Sequence, residues 1–258
     1  MNQIVDQVKK LNELYSRFSP EDIIRESLNE FGKKIVYVCS FGTESAIILN
    51  MIASIDKDFP IFLLNTKFLF PETLIYKDQL LKKLDLRNCT DIFPDSVMLK
   101  ENDPYDDLWK RNVDECCNLR KVQPLEKKLK DFTAWISGRK SYHKGEREKL
   151  DAFEALNDKI VVNPLINIQK KDVDDYFRKN NLPDHPLLSE GYLSIGCIHC
   201  TSKVKDPNDV RSGRWKDYTK TECGIHLNKK NIFDIVGHSI SFFPFPFPNL
   251  QLWHDLLI

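Results

Sequence analysis

The chain has 258 residues, 41% of them hydrophobic, enough for one sizeable core and a small appendage. Its 38 Lys and Arg balance 38 Asp and Glu, which excludes a global field drawing it to nucleic acid or an anionic membrane; any anion site is local. No apolar run is long enough to cross a bilayer, and the opening MNQIVDQVKKLNELY lacks the basic start and apolar core of a secretory signal, so the expected location is the cytoplasm.

Helical apolar spacing covers residues 3–15 and 20–31, the second helix opened by Ser19 as N-cap and Pro20 in the first turn. A β-branched run at 35–40 predicts a strand, followed by the turn Ser40–Ser45 and a helix. Further strands are predicted at 59–65, 90–95, 133–138 and 159–164, with a helix starting near Pro71. Short apolar runs alternating with helices imply an α/β fold of about five strands, a parallel sheet covered on both faces. Beyond Pro164 one more helix is expected at 172–179, and then loops and short helices to residue 231 that wrap over the site.

Chemistry concentrates at the strand ends. The turn Ser40-Phe41-Gly42-Thr43-Glu44-Ser45 leads into a helix, whose free N–H groups and dipole favour a phosphate or sulfate. It lacks the Lys and second Gly of a Walker loop, and a plain connection would look the same. Asn65-Thr66-Lys67 ends the second strand, and Phe70-Pro71-Glu72-Thr73 opens the next helix; together they flank one nucleotide or simply start a helix. Ser137-Gly138-Arg139-Lys140, with Arg147 beyond, supplies cations suited to an oxyanion or to a solvated basic loop.

Seven cysteines in a reducing compartment argue for metal or redox chemistry rather than a disulfide framework. Cys116 and Cys117 are adjacent, and Cys197 and Cys200 form a C-x-x-C pair about eighty positions later. The tandem arm departs from the two C-x-x-C arms usual for a zinc ribbon, whereas an iron-sulfur cluster accommodates varied spacings. Cys223 stands outside both pairs in a polar, Gly-containing segment where a thiol can be exposed and mobile. Lys220 and His226 would favour its thiolate and Glu222 would oppose it, making Cys223 a candidate nucleophile. Cys39, inside the first strand, and Cys89 have structural readings.

These motifs together resemble the assimilatory adenylyl-sulfate reductases, the cluster-bearing branch of the phosphoadenylyl-sulfate reductase family. The resemblance runs from about Ile35 to Leu227 and rests on SFGTES at 40–45, LFPET at 69–73, CC at 116–117, NLRKVQPL at 118–125, ISGRK at 136–140, GYLSIGCIHCT at 191–201, RSGRW at 211–215 and KTECGIHL at 220–227. It implies an adenine nucleotide alpha-hydrolase-like (PP-loop) fold in which Ser40, Phe41, Gly42, Thr43, Glu44 and Ser45 form the substrate-binding loop. It further implies one 4Fe-4S cluster on Cys116, Cys117, Cys197 and Cys200. Cys223 would attack the sulfur of adenylyl sulfate, expel AMP and carry an S-sulfocysteine, while Arg139, Lys140, Arg211 and Arg214 neutralise sulfate and phosphate oxygens. With no second dithiol left in the chain, an external thioredoxin or glutaredoxin is the implied electron donor, and a homo-oligomer is compatible with the family.

Departures from the family pattern are Asn65 and Lys67 beside the substrate candidate Thr66, Ser141 and His143 after ISGRK, and a 31-residue extension beyond Leu227. The expected organisation is N-terminal helices at 1–32, a nucleotide- and cluster-binding domain at 33–201, a mobile segment with the catalytic Cys at 202–227, and an extension of unassigned role at 228–258. Rival readings are a reductase for the 3′-phosphorylated nucleotide, a tRNA-thiolating enzyme, against which Phe41 and Glu44 speak, and a non-catalytic iron-sulfur sensor.

Overall fold

Five apolar residues in a row at Ile35–Cys39 form β1, and all five are buried because the strand is covered on both faces. The computed structural model describes residues 2–143, 145–206 and 209–227, so the extension at 228–258 lies outside the described residues. Two helices precede β1, α1 (Asn2–Tyr15) and α2 (Pro20–Phe31). As expected, the Ser19 Oγ accepts from the Asp22 N–H at 3.2 Å and caps α2.

After β1 come α3 (Ser45–Ile55), β2 (Ile61–Leu64), α4 (Pro71–Leu84) and β3 (Cys89–Ile92). The short helices α5 (Ser96–Asn102), α6 (Leu108–Arg111) and α7 (Val113–Cys117) follow, then a π turn at Asn118–Val122 and α8 (Gln123–Lys128). The chain then returns to the sheet as β4 (Ala134–Ile136), β5 (Phe153–Leu156) and β6 (Lys159–Val162), and α9 spans Lys170–Lys179.

The strand order is β3-β2-β1-β4-β6-β5. All neighbours run parallel except β5, which pairs antiparallel with β6. The first three strands step outward from β1 and the chain then crosses to its other side. The crevice at the carboxyl ends of β1 and β4 is therefore a topological switch point, where open α/β sheets bind ligands.

Alternation along the strands divides the core in two. Ile35, Tyr37, Leu63, Ile136 and Val162 face a layer built with α1 to α4 and α9, including Leu11, Ile24, Ile48 and Leu80. Val36, Val38, Phe62, Trp135 and Val161 face Leu125 and Leu129 on the α8 side. The expected sheet with helices on both faces is what forms, and α1 and α2 contribute to the same core as the sheet.

Six strands are present among the described residues, one more than the sequence periodicity indicates. The additional strand is β5, whose FEAL has one fully buried residue and no β-branched run. A two-residue turn joins it to β6, with Asn157 at φ 56°, a conformation Asn tolerates in hairpins. That pairing brings Glu154 to the edge of the site.

Candidate active site

The cleft opens beyond β1, β2 and β4 and is lined by Ser40, Gly42–Ser45, Ser137–Lys140, Ile195, Arg211, Arg214 and Cys223. Ten of the twelve residues expected in substrate binding and catalysis thus share one cavity. Two do not line it. The Phe41 ring is fully buried in the core, and what this residue contributes is a backbone turn at φ 48°. A positive φ is costly for a bulky residue and persists because the buried ring fixes it. Thr66 turns instead to the cysteines, its Oγ1 lying 3.2 Å from the Cys197 Sγ while accepting from the Phe68 N–H at 3.2 Å.

Loop 40–45 is held by its own groups. The Phe41 N–H donates to the Cys39 Sγ at 3.3 Å, and the Gly42 N–H to the Ser40 Oγ at 3.4 Å. The Thr43 hydroxyl donates to the Leu193 carbonyl at 3.0 Å, fastening the loop to the strap that follows α9. Glu44 is no free anion: its carboxylate meets the Lys140 Nζ at 3.1 Å and the His143 Nε2 at 3.4 Å, and accepts from the Tyr142 hydroxyl. Burial opposes its charge, but Lys140, His143 and Tyr142 prevail and hold it well below the usual carboxylate range. Glu44 thereby keeps Lys140 at the cleft wall.

Arg139 pairs with Glu154 of β5, whose carboxylate also accepts from the Asn163 Nδ2 at 2.7 Å. The Arg139 Nε and the His226 Nδ1 are buried without a hydrogen-bond partner among the described residues. Both residues line the cleft, so these groups are available to a polar ligand. Also lining the cleft, Glu222 accepts from the Arg147 Nε and, at 2.9 Å, from its Nη2; the Arg211 Nη2 lies 3.7 Å away. Burial, with Arg147 nearby, pushes Arg211 down to about 10.

The four paired cysteines are all buried. Cys116 and Cys117 end α7, while Cys197 and Cys200 bracket a single 3-10 turn that is tied to β2's exit by the Ile198 N–H donating to the Phe68 carbonyl at 2.8 Å. Cys116 packs with Leu99, Leu108 and Leu119; Cys197 and Cys200 pack with Val113 and Trp215; Phe68 touches both groups. No three His, Cys, Asp or Glu side chains among the described residues are arranged to hold one metal ion. A cubane cluster makes a different demand, one thiolate for each of four separated irons.

The surroundings suit an anionic thiolate assembly. Arg214 is half-buried, and its Nε donates to the Cys200 carbonyl at 3.2 Å; burial lowers its pKa, while Cys197, Cys200, Cys223 and Cys117 favour its charge. Lys121, one turn past Cys117, has no carboxylate partner among the described residues; burial opposes its charge, but Cys197, Cys223 and Cys117 raise its pKa regardless. Burial and the neighbouring thiols push Cys116 up to about 12. The donors and their cationic frame fit such a cluster, and Lys121 is a site residue whose role sequence reasoning left unassigned although it stands inside the NLRKVQPL motif.

Cys223 is half-buried and packs beside Cys197, Cys200 and Trp215. The Cys117 thiol, while it keeps its own proton, lowers the pKa of Cys223; together with Lys121, the Ile225 N–H and Lys220 this outweighs burial and favours the Cys223 thiolate. Of the local groups weighed from sequence, Lys220 acts as expected, although its Nζ pairs with Asp114. His226 does not: burial, then Arg139, Arg147 and Arg211, hold it neutral while it stacks on Trp135 at 5.3 Å. Nor does Glu222 stand as a free opposing charge, because Arg147 and Arg211 engage it. Cys39 is the inert core thiol expected, pushed up to about 12 by burial.

Residues 34–203 match the family model described as the phosphoadenosine phosphosulfate reductase domain. The chain belongs to this family of oxidoreductases. Among its relatives in the family, adenosine 5′-phosphosulfate reductase of Chelativorans sp. is 42% identical over 84% of this chain and 90% of its own length. The protein of the same name from Mesorhizobium japonicum is 43% identical, over 84% of this chain and 86% of its length. The crystal structure of phosphoadenylyl-sulfate reductase from Candida auris, a phosphate complex, matches with a TM-score of 0.65 at 26% identity, covering 77% of this chain and 97% of that one. Among the described residues no helix is long and apolar enough to cross a membrane.

Proposed function

We propose that this chain reduces adenylyl sulfate to sulfite and AMP in sulfate assimilation, in the cytoplasm, with Cys223 as nucleophile and a thioredoxin or glutaredoxin as electron donor. The observation supporting this is the convergence, in one cleft, of Cys223 with loop 40–45 and the cations Arg139, Lys140, Arg211 and Arg214. The Cys223 thiolate attacks the sulfate sulfur; the bond from that sulfur to the phosphate oxygen breaks and AMP leaves, giving an S-sulfocysteine. A thiol of the donor then attacks the Cys223 Sγ, forming a mixed disulfide and releasing sulfite with the bonding electron pair. The donor's second thiol resolves that disulfide.

Arg139 and Lys140, fixed by Glu154 and Glu44, neutralise the oxygens around the sulfur and the leaving phosphate, and Arg211 and Arg214 approach from the Cys223 side. Cys116, Cys117, Cys197 and Cys200 hold a 4Fe-4S cluster in this reading. When bound, it supplies a fixed charged group beside the nucleophile.

Intact-protein mass spectrometry of anaerobically purified, cluster-loaded protein tests the proposal. Adenylyl sulfate is expected to add one sulfonate on Cys223, removed by thioredoxin and absent from Cys223→Ser, whose cluster absorbance stays intact. No adduct with adenylyl sulfate, or an adduct only with the 3′-phosphorylated nucleotide, would sink it.

A further inference from the structure

Residues immediately before Cys223 are pinned by two arginines. Glu222 is 8% exposed and accepts two hydrogen bonds from the Arg147 guanidinium, through Nε and Nη2. The Arg211 Nη2 donates to the Thr221 carbonyl at 2.8 Å and stands 3.7 Å from the Glu222 carboxylate. Arg147 is itself steadied by the His143 Nδ1 at 3.2 Å, one of the positions departing from the family pattern. Its 3-10 turn, Gly145–Lys149, follows β4, and Arg147 itself lines the cleft.

Other contacts along the segment are of a different kind: Lys220 pairs with the well-exposed Asp114, Cys223 packs beside Cys197, Cys200 and Trp215, and in the single 3-10 turn that follows, Gly224–His226, the His226 ring stacks on Trp135. The Glu222 to Arg147 contact is the enclosed, two-pronged one. A forked guanidinium on a carboxylate fixes direction as well as distance, and breaking such a pair strands a charge.

We propose that Glu222 is a positioning residue: its forked pairing with Arg147 latches the Cys223 segment over the cleft and sets the nucleophile's approach to the sulfur. The effect is one of orientation, so it acts on the rate of sulfur transfer rather than on nucleotide affinity. A carboxylate on a shorter arm reaches the same arginine imperfectly, whereas an amide loses the charge. This rests on Cys223 being the nucleophile.

The test uses full-length, cluster-loaded protein and compares wild type with Glu222→Gln and Glu222→Asp. Single-turnover sulfonation of Cys223 by adenylyl sulfate, followed by intact mass, is expected to slow about ten-fold or more in Glu222→Gln and to recover in part in Glu222→Asp. AMP affinity by calorimetry and cluster absorbance should stay within about two-fold of wild type. In the same samples, iodoacetamide should alkylate Cys223 several-fold faster in Glu222→Gln, since the unlatched segment lifts Cys223 more often from its packing on Cys197, Cys200 and Trp215. Unchanged sulfonation with unchanged alkylation overturns the latch, as does faster alkylation with a wild-type transfer rate. If wild type itself forms no adduct, the reading of function fails, and the alkylation ratio alone decides the latch.

Discussion

Gly196 lacks a side chain for a reason visible only in three dimensions: a Cβ built there would overlap the guanidinium of Arg214, far inside any real contact distance. That guanidinium lies flat on the backbone of the segment leading into Cys197, with the Trp215 ring on its other flank, 4.5 Å from the centroid. Gly196→Ala therefore has to push Arg214 away from the cysteines. Overpacking of this kind costs about 1–3 kcal/mol, to be read from urea unfolding, and sulfonation of Cys223 should slow as well if Arg214 serves the sulfur transfer. A variant equal to wild type in both would mean that the guanidinium has another place to go. The same scale explains why the surroundings of Cys223 were misjudged from sequence. Lys220 and His226 are its neighbours along the chain, but Lys121, about a hundred positions away, is among the groups that set its ionisation.

At the scale of elements, the π turn at 118–122 widens the helix by one residue and re-aims its side chains. It carries Arg120, whose side chain is 1% exposed. The guanidinium meets Asp103 at 2.5 Å and Asp106 at 2.6 Å, and donates to the Thr66 carbonyl at 3.1 Å. Because Thr66 touches Cys197, this one arginine ties the helix bearing Cys116 and Cys117 to the strand end that supports the other pair. Asp103→Asn leaves the buried cation with only the exposed Asp106 as counter-charge and is expected to lower stability by roughly 1.5–3 kcal/mol, with less iron retained per chain. Chemical unfolding and iron analysis check this. The pair of Lys57 and Asp85, about half-exposed, is the control: Lys57→Ala should cost less than about 1 kcal/mol. Asp103 had no motif around it to draw attention. Strand β5 was missed for a related reason, since a four-residue edge strand owes its existence to its neighbour β6 rather than to its own residues.

Over the whole molecule, buried titratable groups give stability a pH dependence of definite sign. His185 is 1% exposed, with its Nε2 3.1 Å from the Thr73 Oγ1 and its Nδ1 accepting from the Leu187 N–H. Burial pushes it from 6.5 down to about 4. Between those values the unfolded chain binds the extra proton and the native one does not, so stability falls as pH drops from 6.5 to 4. Glu44 and Glu222, both lowered, contribute stability above the ordinary Glu range that is lost at still lower pH. Urea midpoints taken between pH 7 and 4 should decline, and His185→Asn should flatten the decline in that window by on the order of 2 kcal/mol; an unaltered slope would assign the dependence elsewhere. At this scale the linear chain already carried the fold class and the strands from β1 to β4 and β6, since these depend on local periodicity. It did not carry which charges neutralise which. Glu44 holding Lys140, Glu154 holding Arg139, Glu222 held by Arg147 and Thr66 turned toward Cys197 all join segments distant in sequence, and a partner's identity is set by where the sheet order brings the strand ends together.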